Sequence, residues 1–441
     1  MRILKKILYV ILGLMVVIAI SLFVLRTIRA NQADKIRIPK DSQAMLHIKV
    51  DNLLLKMGSN SLMNWNAYYG SKGKDSTSAD KVKIWGMGID VPGHLYFFSL
   101  PERESTYYTI LRVSNFAKAK QFLTDKLGME AQQGLSASNE LFFTKGDLRI
   151  LLSDTKLVVG LGKENQGNLE PMKALLQDDQ QDWVNAKERF DAKRNSNLGD
   201  MTWQGEGKNY LSLKFSAGTA TLTGTLASDS YRFPKATKKL KTDSHDSLLV
   251  HLEINNDLGA MVNLNNLLSD STSSTPLDSI SNYLGNYLSL RISNKEITQV
   301  DSIVSYDYDD NFEMIEKKTL NETQVPDIHL NIMGSPHLLS LVPEKIFYKF
   351  HKSEHAGLLN LTTAGQQQGQ EETLVPSDRV FHFYYKNSPL IGKYFAFVPS
   401  YEKLDYLEIN GKSSQPTEIN LIGRIHFKNQ DLNSFFQLIN F

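Results

Sequence analysis

An uncharged apolar run near the N-terminus most constrains what this chain can be. It covers residues 7–25 and includes Ile7, Leu14, Val17, Phe23 and Leu25. As a helix with a rise of about 1.5 Å per residue, it would be roughly 28 Å long, enough to cross the hydrocarbon core of a bilayer. The sequence therefore predicts an uncleaved signal anchor, with a cytoplasmic tail and a transmembrane helix over residues 1–30 and a juxtamembrane linker over residues 31–43.

The position of this run also predicts where the rest of the chain lies. Basic residues flank the run on both sides, so their count gives no orientation. A short basic leader followed by a domain of about 400 residues favours export of that domain. The absence of cysteine is compatible with an oxidising compartment. We therefore predict a single-pass protein of the bacterial inner membrane with the bulk of the chain in the periplasm.

Two sequence matches at nearly one offset predict an internal duplication. LHIKVDNL, residues 46–53, resembles VHLEINND, residues 250–257, and TLTGTLAS, residues 221–228, resembles NLIGRIHF, residues 420–427. The charged segment 229–247 separates the two halves and is typical of a linker. The predicted domains are repeat one over residues 44–228 and repeat two over residues 248–441.

The hydrophobic patterns predict antiparallel strands mixed with helices in each repeat. Alternating apolar residues predict a strand at 44–50, and an apolar periodicity predicts a helix at 51–63. A polar stretch at 169–193 and the segment beginning at Pro343 also have helical patterns. The predicted fold class is α+β, a transmembrane helix followed by two related domains rich in antiparallel sheet.

The first hundred residues after the apolar run resemble a known group of proteins. IPKDSQAMLHIKVDNLLLK, GIDVPGHLYFFS and TILRVSNFAKAKQFL are similar to segments of uncharacterised envelope-protein families of Bacteroidota. The resemblance implies a membrane-anchored protein with duplicated α+β domains and no assigned activity. It supplies no catalytic residue to transfer.

The stretch HKSEH, residues 351–355, has the His-x-x-Glu-His spacing of an inverted zinc-protease motif. On a helix, His351 and His355 would lie one turn apart and could bind one zinc ion together with Glu354. They would also lie in the last turn, where histidines interact favourably with the helix dipole. No glutamate further along the chain lies in a helical pattern that would supply a third ligand. A helix end without metal chemistry is the preferred interpretation, and a zinc-dependent hydrolase is the alternative.

A second acidic stretch, YDYDDNFE at residues 306–313, offers several carboxylates that calcium could bind. Tyr306 and Tyr308 alternate as in a strand, and Asp309, Asp310 and Asn311 are typical turn residues. We therefore predict strands at 297–308 and 312–319, joined by a hairpin turn in solvent. Calcium binding remains the alternative.

Aromatic residues concentrate in repeat one, at Trp65, Tyr68, Tyr69 and Trp85. Core packing explains such residues in most proteins. Because WNAYYG leads into a polar loop, we also consider them a possible interface.

These features predict a function class but no activity. Formal charge is near balance, with 49 basic and 48 acidic residues, which excludes an extended nucleic-acid footprint. No coherent catalytic set and no cofactor motif is present. The predicted function is a non-enzymatic envelope protein that contacts the membrane through one helix and binds an envelope protein partner as an interaction or assembly module. A carrier of lipid or another hydrophobic ligand is the alternative from a different class.

Overall fold

The computed structural model describes most of the chain as two compact units. Unit 1 contains residues 1–217 and 431–436, and unit 2 contains residues 218–430 and 437–441. The residues described are 26–69, 86–101, 103–132, 140–162, 169–177, 182–191, 198–235, 237–240, 246–255, 282–308, 314–342, 345, 348–355, 357–365, 374–395 and 401–439.

Unit 1 is built on one antiparallel sheet. Its strands are β1 Arg37–Pro39, β2 Met45–Ile48, β3 Ile89–Asp90, β4 Leu95–Leu100, β5 Arg103–Val113, β6 Glu130–Gln132, β7 Leu141–Lys145, β8 Leu148–Leu152, β9 Lys156–Leu161, β10 Trp183–Asn185, β11 Met201–Gln204 and β12 Tyr210–Phe215. The order across the sheet is β12-β11-β2-β4-β5-β9-β8-β7-β6. β3 pairs with the end of β5, and β1 and β10 form a separate pair.

Unit 1 also contains helices of different lengths. Residues 26–33 are helical (α1), and the others are α2 Val50–Met63, α3 Trp65–Tyr69, α4 Phe116–Gln121, α5 Leu169–Gln177 and α6 Ala186–Asp191; a π-helical turn, Phe122–Lys126, continues α4. The Asn115 side chain caps α4 by accepting a hydrogen bond from the Lys118 amide. Two apolar cores result, one around Phe98, Tyr108 and Trp183 and another around Phe143 and Leu123.

Unit 2 is also built on one antiparallel sheet, and few of its described residues are helical. Its strands are β13 Thr219–Ala227, β14 Thr237–Leu240, β15 Asp246–Glu253, β16 Leu284–Tyr308, β17 Met314–Gly334, β18 His351–His355, β19 Leu358–Thr362, β20 Leu374–Ser377, β21 Phe381–Lys386, β22 Leu404–Gln415 and β23 Glu418–Phe427. The order is β13-β23-β22-β21-β15-β16-β17-β19-β18, with β14 and β20 paired separately. The helices are α7 His337–Leu341 and α8 Pro389–Tyr394; α9 Ser434–Ile439 is the last helix of the chain. Ile292, Ile328 and Ile391 belong to the core of unit 2.

The predicted α+β fold class is wrong. Strands make up 53% of the structure and helices 22%, and the sheets are large and antiparallel. Within the described residues, no helix has the length and apolar character needed to span a bilayer. The anchor residues Ile7, Leu14, Val17, Phe23 and Leu25 lie outside the described residues. The helical patterns overstated the helix content: the described residues of the predicted helical stretch 169–193 form two short helices, α5 and α6, and the strand β10.

The strands of the first sequence match, β2 and β15, lie in different units, whereas those of the second match, β13 and β23, both lie in unit 2. β2 of unit 1 lies between β4 and β11, and β15 of unit 2 lies between β16 and β21. In both units the matched strand pairs with one strand from late in the unit, β11 or β21. Its other neighbour is the next strand along the chain for β15, but for β2 it is the second strand along, β4. The other matched pair, β13 and β23, are neighbours in unit 2, with Leu222 opposite Gly423. The boundary between the compact units accordingly lies before β13, and the duplication itself stays a prediction.

Candidate functional site

The HKSEH stretch forms a strand, β18, and the helix expected there is wrong. A strand rises about 3.3 Å per residue, so His351 and His355 lie roughly 13 Å apart along it, too far to bind one ion together. Glu354, three residues after His351, is on the other face. It accepts a hydrogen bond from the Gly357 amide at 2.9 Å. No group of three or more potential metal ligands occurs among the described residues. The strand pairing with β19 overrides the helical pattern of the segment.

Three of the four aromatic residues of the predicted interface, Trp65, Tyr68 and Tyr69, lie on α3. Tyr68 is half-buried, and the centroids of the Tyr68 and Phe436 rings are 4.1 Å apart. The Tyr68 hydroxyl donates a hydrogen bond to Asn60 Oδ1 at 2.7 Å. Trp65 is 59% exposed and follows the exposed Leu62 and Met63 at the end of α2. Tyr69 ends α3, and Trp85 lies outside the described residues. Tyr68 therefore has a packing role, and Trp65 contributes to a small exposed apolar patch.

A histidine pair in unit 1 was not anticipated from the sequence. His47 Nε2 and His94 Nδ1 are 2.9 Å apart, and the Tyr96 ring stacks on His47 with centroids 4.6 Å apart. Burial, and then the neighbouring His94 and Lys49, lowers the pKa of His47 to about 3. Burial also lowers the pKa of His94. Both imidazoles are therefore neutral at pH 7, and one ring donates a hydrogen bond to the other as part of the core.

The most distinctive feature of unit 2 is a long two-stranded ribbon formed by β16 and β17. Their register is unbroken from Ile297 opposite Val325 to Tyr308 opposite Met314. This ribbon, residues 297–308 and 314–325, is called the arm. At about 3.4 Å per residue the arm is roughly 37 Å long. The strands predicted on either side of YDYDDNFE are present and pair antiparallel as β16 and β17. The turn predicted between them, with Asp309, Asp310 and Asn311, lies outside the described residues.

The arm extends past the neighbouring strands of its own sheet. β15 pairs with β16 only as far as Asp246 opposite Ser293, and β19 pairs with β17 only from His329 onward. Every described residue of β17 from Met314 to Gln324 is exposed. Within the described part of the chain, no other strand pairs with the arm, so the arm projects into solvent.

Contacts near its base fix the arm to the rest of unit 2. The Gln299 side chain donates to the carbonyl oxygens of Lys349, at 2.6 Å, and Thr363, at 2.9 Å. Lys345 forms a salt bridge with Asp301 at 2.8 Å, and Lys393 forms one with Glu296 at 2.5 Å. All of these contacts are made by residues that follow the arm in the sequence, and they hold its base against the rest of unit 2.

One face of the arm carries a row of exposed apolar side chains. Residues directly opposite each other in an antiparallel pair share a face, and the face alternates at each step. The pairing therefore places Val300, Val304, Tyr306, Met314 and Leu320 on one face. Their exposed fractions are 48%, 42%, 66%, 64% and 70%. We call these five residues the stripe; Ile315, 48% exposed, lies on the opposite face.

Charged residues accompany the stripe on the β17 side of the same face. Glu316 lies opposite Tyr306, Lys318 opposite Val304 and Glu322 opposite Val300. Glu316 and Lys318 also form a salt bridge at 3.6 Å. The stripe face thus combines an apolar row on β16 with a row of alternating charges on β17. Monomeric soluble proteins seldom expose contiguous apolar rows without a function, so this face is the candidate site.

Sequence reasoning missed this site although its signal was present. The alternation of Val300, Val304 and Tyr306 shows which residues share a face, but an alternating strand ordinarily places its apolar face against a core. Recognising that this face is exposed requires knowing that β15 and β19 end before the arm. That information is in the tertiary structure.

A cavity in unit 1 bears on the carrier alternative. It has a volume of about 280 Å³, and its lining includes Lys35, Arg37, Asp90 and Arg112. A hydrophobic ligand needs a mainly apolar site with few polar groups. The lining also includes the apolar residues Ile36, Ile110, Leu111 and Trp183, so it is mixed and not mainly apolar. The carrier hypothesis therefore stays a prediction.

Comparisons with known proteins provide no family for this chain. No family model matches it, and no curated protein matches it. Among solved structures, it is similar to crystal form III of TP0453, with a TM-score of 0.22 and 10% identity over 74% of this chain and 90% of that chain. Crystal form IV gives the same TM-score, with 9% identity over 75% of this chain and 93% of that chain. Likeness at this level carries no argument about function.

Proposed function

We propose that this chain is a non-enzymatic envelope protein that binds another protein through the stripe face of the arm. The observation that carries the proposal is the stripe of five exposed apolar side chains on one face of a ribbon that extends beyond the sheet. A ribbon of this kind contributes little to the core of its own unit. Exposing its apolar side chains to water is unfavourable, and another surface that covers them removes this cost.

The pattern of the stripe face favours a protein as the partner rather than a lipid bilayer. Glu316, Lys318 and Glu322 each lie opposite an apolar residue of this face. Burying such charges in hydrocarbon costs several kcal/mol each. A protein surface can instead offer complementary charges beside its own apolar groups. The stripe is also narrow, as expected for contact with a strand or a ribbon.

The location of the chain is part of the same proposal. The apolar run of residues 7–25 and the basic residues that flank it support attachment to the inner membrane, with the two units in the periplasm. Arg26 donates a hydrogen bond to Asn52 at 3.0 Å, and Arg29 forms a salt bridge with Asp51 at 3.1 Å. These contacts support a short connection between a membrane segment and unit 1.

Site-specific photo-cross-linking of the full-length chain in its own cells tests this function. A photoreactive residue replaces Val304, on the stripe face, or Ile315, on the opposite face, as a matched control of similar exposure. We expect a discrete protein adduct at position 304 and several-fold less at position 315. Lipid adducts at position 304 would instead favour the carrier hypothesis. Equal labelling of the two positions, or no protein adduct at position 304, would overturn the proposal.

A further inference from the structure

The two edges of the arm differ in how they resist strand pairing. Natural proteins protect exposed strand edges with lysine, proline, bulges or very short strands. The β17 edge carries Lys317 and Lys318, and Pro326 follows at its base. From residue 297 to residue 308, β16 has no lysine, arginine or proline, and its pairing with β17 has no bulge there. The β16 edge therefore lacks lysine, proline and a bulge, and its charged residues in this span are two aspartates, Asp301 and the one at position 307.

The unprotected edge is also open. Beyond Ser293 the described residues of β16 pair on one side only, with β17. Ser302, Val304, Ser305 and Tyr306 are all exposed. Backbone groups on such an edge have the geometry to continue an antiparallel sheet with an incoming strand.

We propose that the β16 edge pairs with the same edge of a second copy of this chain. This inference rests on the proposed function, because it names the partner of the arm. The pairing is antiparallel about a two-fold axis at residue 303. It forms a four-stranded sheet in which β17 of each copy lies on the outside, as an isologous interface requires.

The sequence of β16 is self-complementary in this register. Val300 of one copy lies opposite Tyr306 of the other, a β-branched and aromatic pair that is favourable across antiparallel strands. Asp301 lies opposite Ser305, and position 307 lies opposite Gln299. No two charged residues of β16 between 297 and 308 therefore face each other. Moving the axis by one residue to 304 would place Asp301 opposite position 307, also an aspartate, which is unfavourable.

The pairing also explains why the stripe and the unprotected edge occur on one strand. With the axis at residue 303, even-numbered residues of one copy face even-numbered residues of the other. The two stripes consequently lie side by side on one face of the four-stranded sheet, where Val300 of one copy and Tyr306 of the other cover part of each other's apolar surface. An extended strand of a different protein could also pair with the edge. That pairing would place no second stripe beside the first.

Strand pairing over about ten residues buries less area than a standard interface of roughly 1,600 Å². We therefore expect association of the purified protein in the micromolar range, strengthened when anchored chains share a membrane surface. The experiment should consequently cover concentrations up to about 100 μM, where such an association is measurable.

Disulfide mapping tests this pairing directly, because the native chain contains no cysteine. Single variants Ser302→Cys, Ile303→Cys and Val304→Cys sample the β16 edge. Thr319→Cys is the matched control, since Thr319 lies opposite Ile303 within the arm but on the protected edge. Full-length purified protein is oxidised gently, and covalent dimer is quantified on non-reducing gels. Circular dichroism confirms that each variant is folded.

We expect the Ile303→Cys variant to give the highest yield of dimer, at least threefold above the Thr319→Cys variant. Two copies of position 303 meet at the axis, where Cα separations of about 4.5–5.5 Å permit a disulfide. Equal yields at the two edges, or no dimer at 100 μM, would overturn the inference. A protein adduct at Val304 in cells, combined with no dimer here, would leave the proposed function standing with a different partner. A dimer here without any adduct in cells would contradict the proposed function instead.

Discussion

Leu320 lies directly opposite Ser302 across the arm. It therefore places an apolar side chain beside the one polar residue that lies between Val300 and Tyr306 on the stripe face of β16. Val300, Val304 and Tyr306 are the residues of the stripe on that strand. Leu320 is 70% exposed, so it contributes little to the core of unit 2. Its position therefore has a contact role in the proposed function, and this makes it the most informative residue for mutation.

Replacing Leu320 should separate binding from stability. We expect Leu320→Ser to change the free energy of unfolding of unit 2 by no more than about 0.5 kcal/mol, because the side chain is exposed. It should reduce the protein adduct formed at Val304 severalfold. Ile315→Ser is the control, and it should leave both measurements unchanged. Equal loss of adduct in the two variants would contradict a specific role for the stripe.

Charge at position 305 should control self-association in opposite directions. In the proposed register Ser305 of one copy faces Asp301 of the other. Ser305→Lys should therefore strengthen dimerisation, and Ser305→Asp should weaken it, each by about threefold at low salt. Sedimentation equilibrium gives the dissociation constants. The Lys345 salt bridge with Asp301 reduces both effects without reversing their sign. Identical constants for the two variants would exclude this register.

The buried histidine pair should make unit 1 less stable in acid. The pKa of His47 is about 3 in the folded state, against about 6.5 in an unfolded chain. Above pH 6.5 both states carry a neutral imidazole, and this group does not change the stability. As the pH falls below 6.5, only the unfolded state takes up the proton. The free energy of unfolding therefore decreases by about 1.4 kcal/mol per pH unit until the pH approaches 3.

Urea denaturation at pH 7.5 and pH 5.0 measures this effect. All four tryptophans, Trp65, Trp85, Trp183 and Trp203, belong to unit 1, so their fluorescence reports on that unit alone. The difference in unfolding free energy between the two pH values should be about 2 kcal/mol smaller in His47→Gln than in the native chain. His355→Gln, in an exposed position, should behave as the native chain does. If the difference in unfolding free energy between the two pH values is the same in His47→Gln and in the native chain, the pKa of His47 is not lowered in the folded state.

A buried ion pair should dominate the electrostatic stability of unit 1. Lys56 Nζ lies 2.6 Å from Asp200 Oδ2, and the Asp200 side chain is only 3% exposed. The same carboxylate oxygen accepts a hydrogen bond from the Phe215 amide at 2.8 Å. Lys56→Met would leave a buried carboxylate without its cation, and we expect a loss of about 3 kcal/mol. Lys187→Met removes the half-exposed partner of Asp34 and should cost less than about 1 kcal/mol.

The strand HKSEH should have no metal-dependent role. His351→Ala and His355→Ala should leave both the zinc content of the purified protein and the melting temperature unchanged, because His355 is exposed and the two histidines are too far apart to share an ion. Elemental analysis by mass spectrometry and a thermal melt provide the two measurements. Stoichiometric zinc that disappears in either variant would revive the hydrolase alternative.

Local patterns in the sequence were sufficient where neighbouring residues decide the structure. The alternation of MLHI predicted β2, and the apolar periodicity of residues 51–63 predicted α2. The alternation of Tyr306 and Tyr308 predicted the end of β16, because such a pattern acts within a few residues. For the same reason the sequence could indicate which residues of the arm share a face.

The tertiary structure decided the questions that depend on distant partners. HKSEH has a helical histidine spacing, yet pairing with β19 makes it a strand. His47 acquires its low pKa from burial and from His94, whose distance in space the sequence does not contain. The stripe is exposed only because β15 and β19 end before the arm begins. Burial is a property of the whole packed chain, so an alternating pattern determines the face of a strand, whereas the surrounding elements determine whether that face meets a core or solvent.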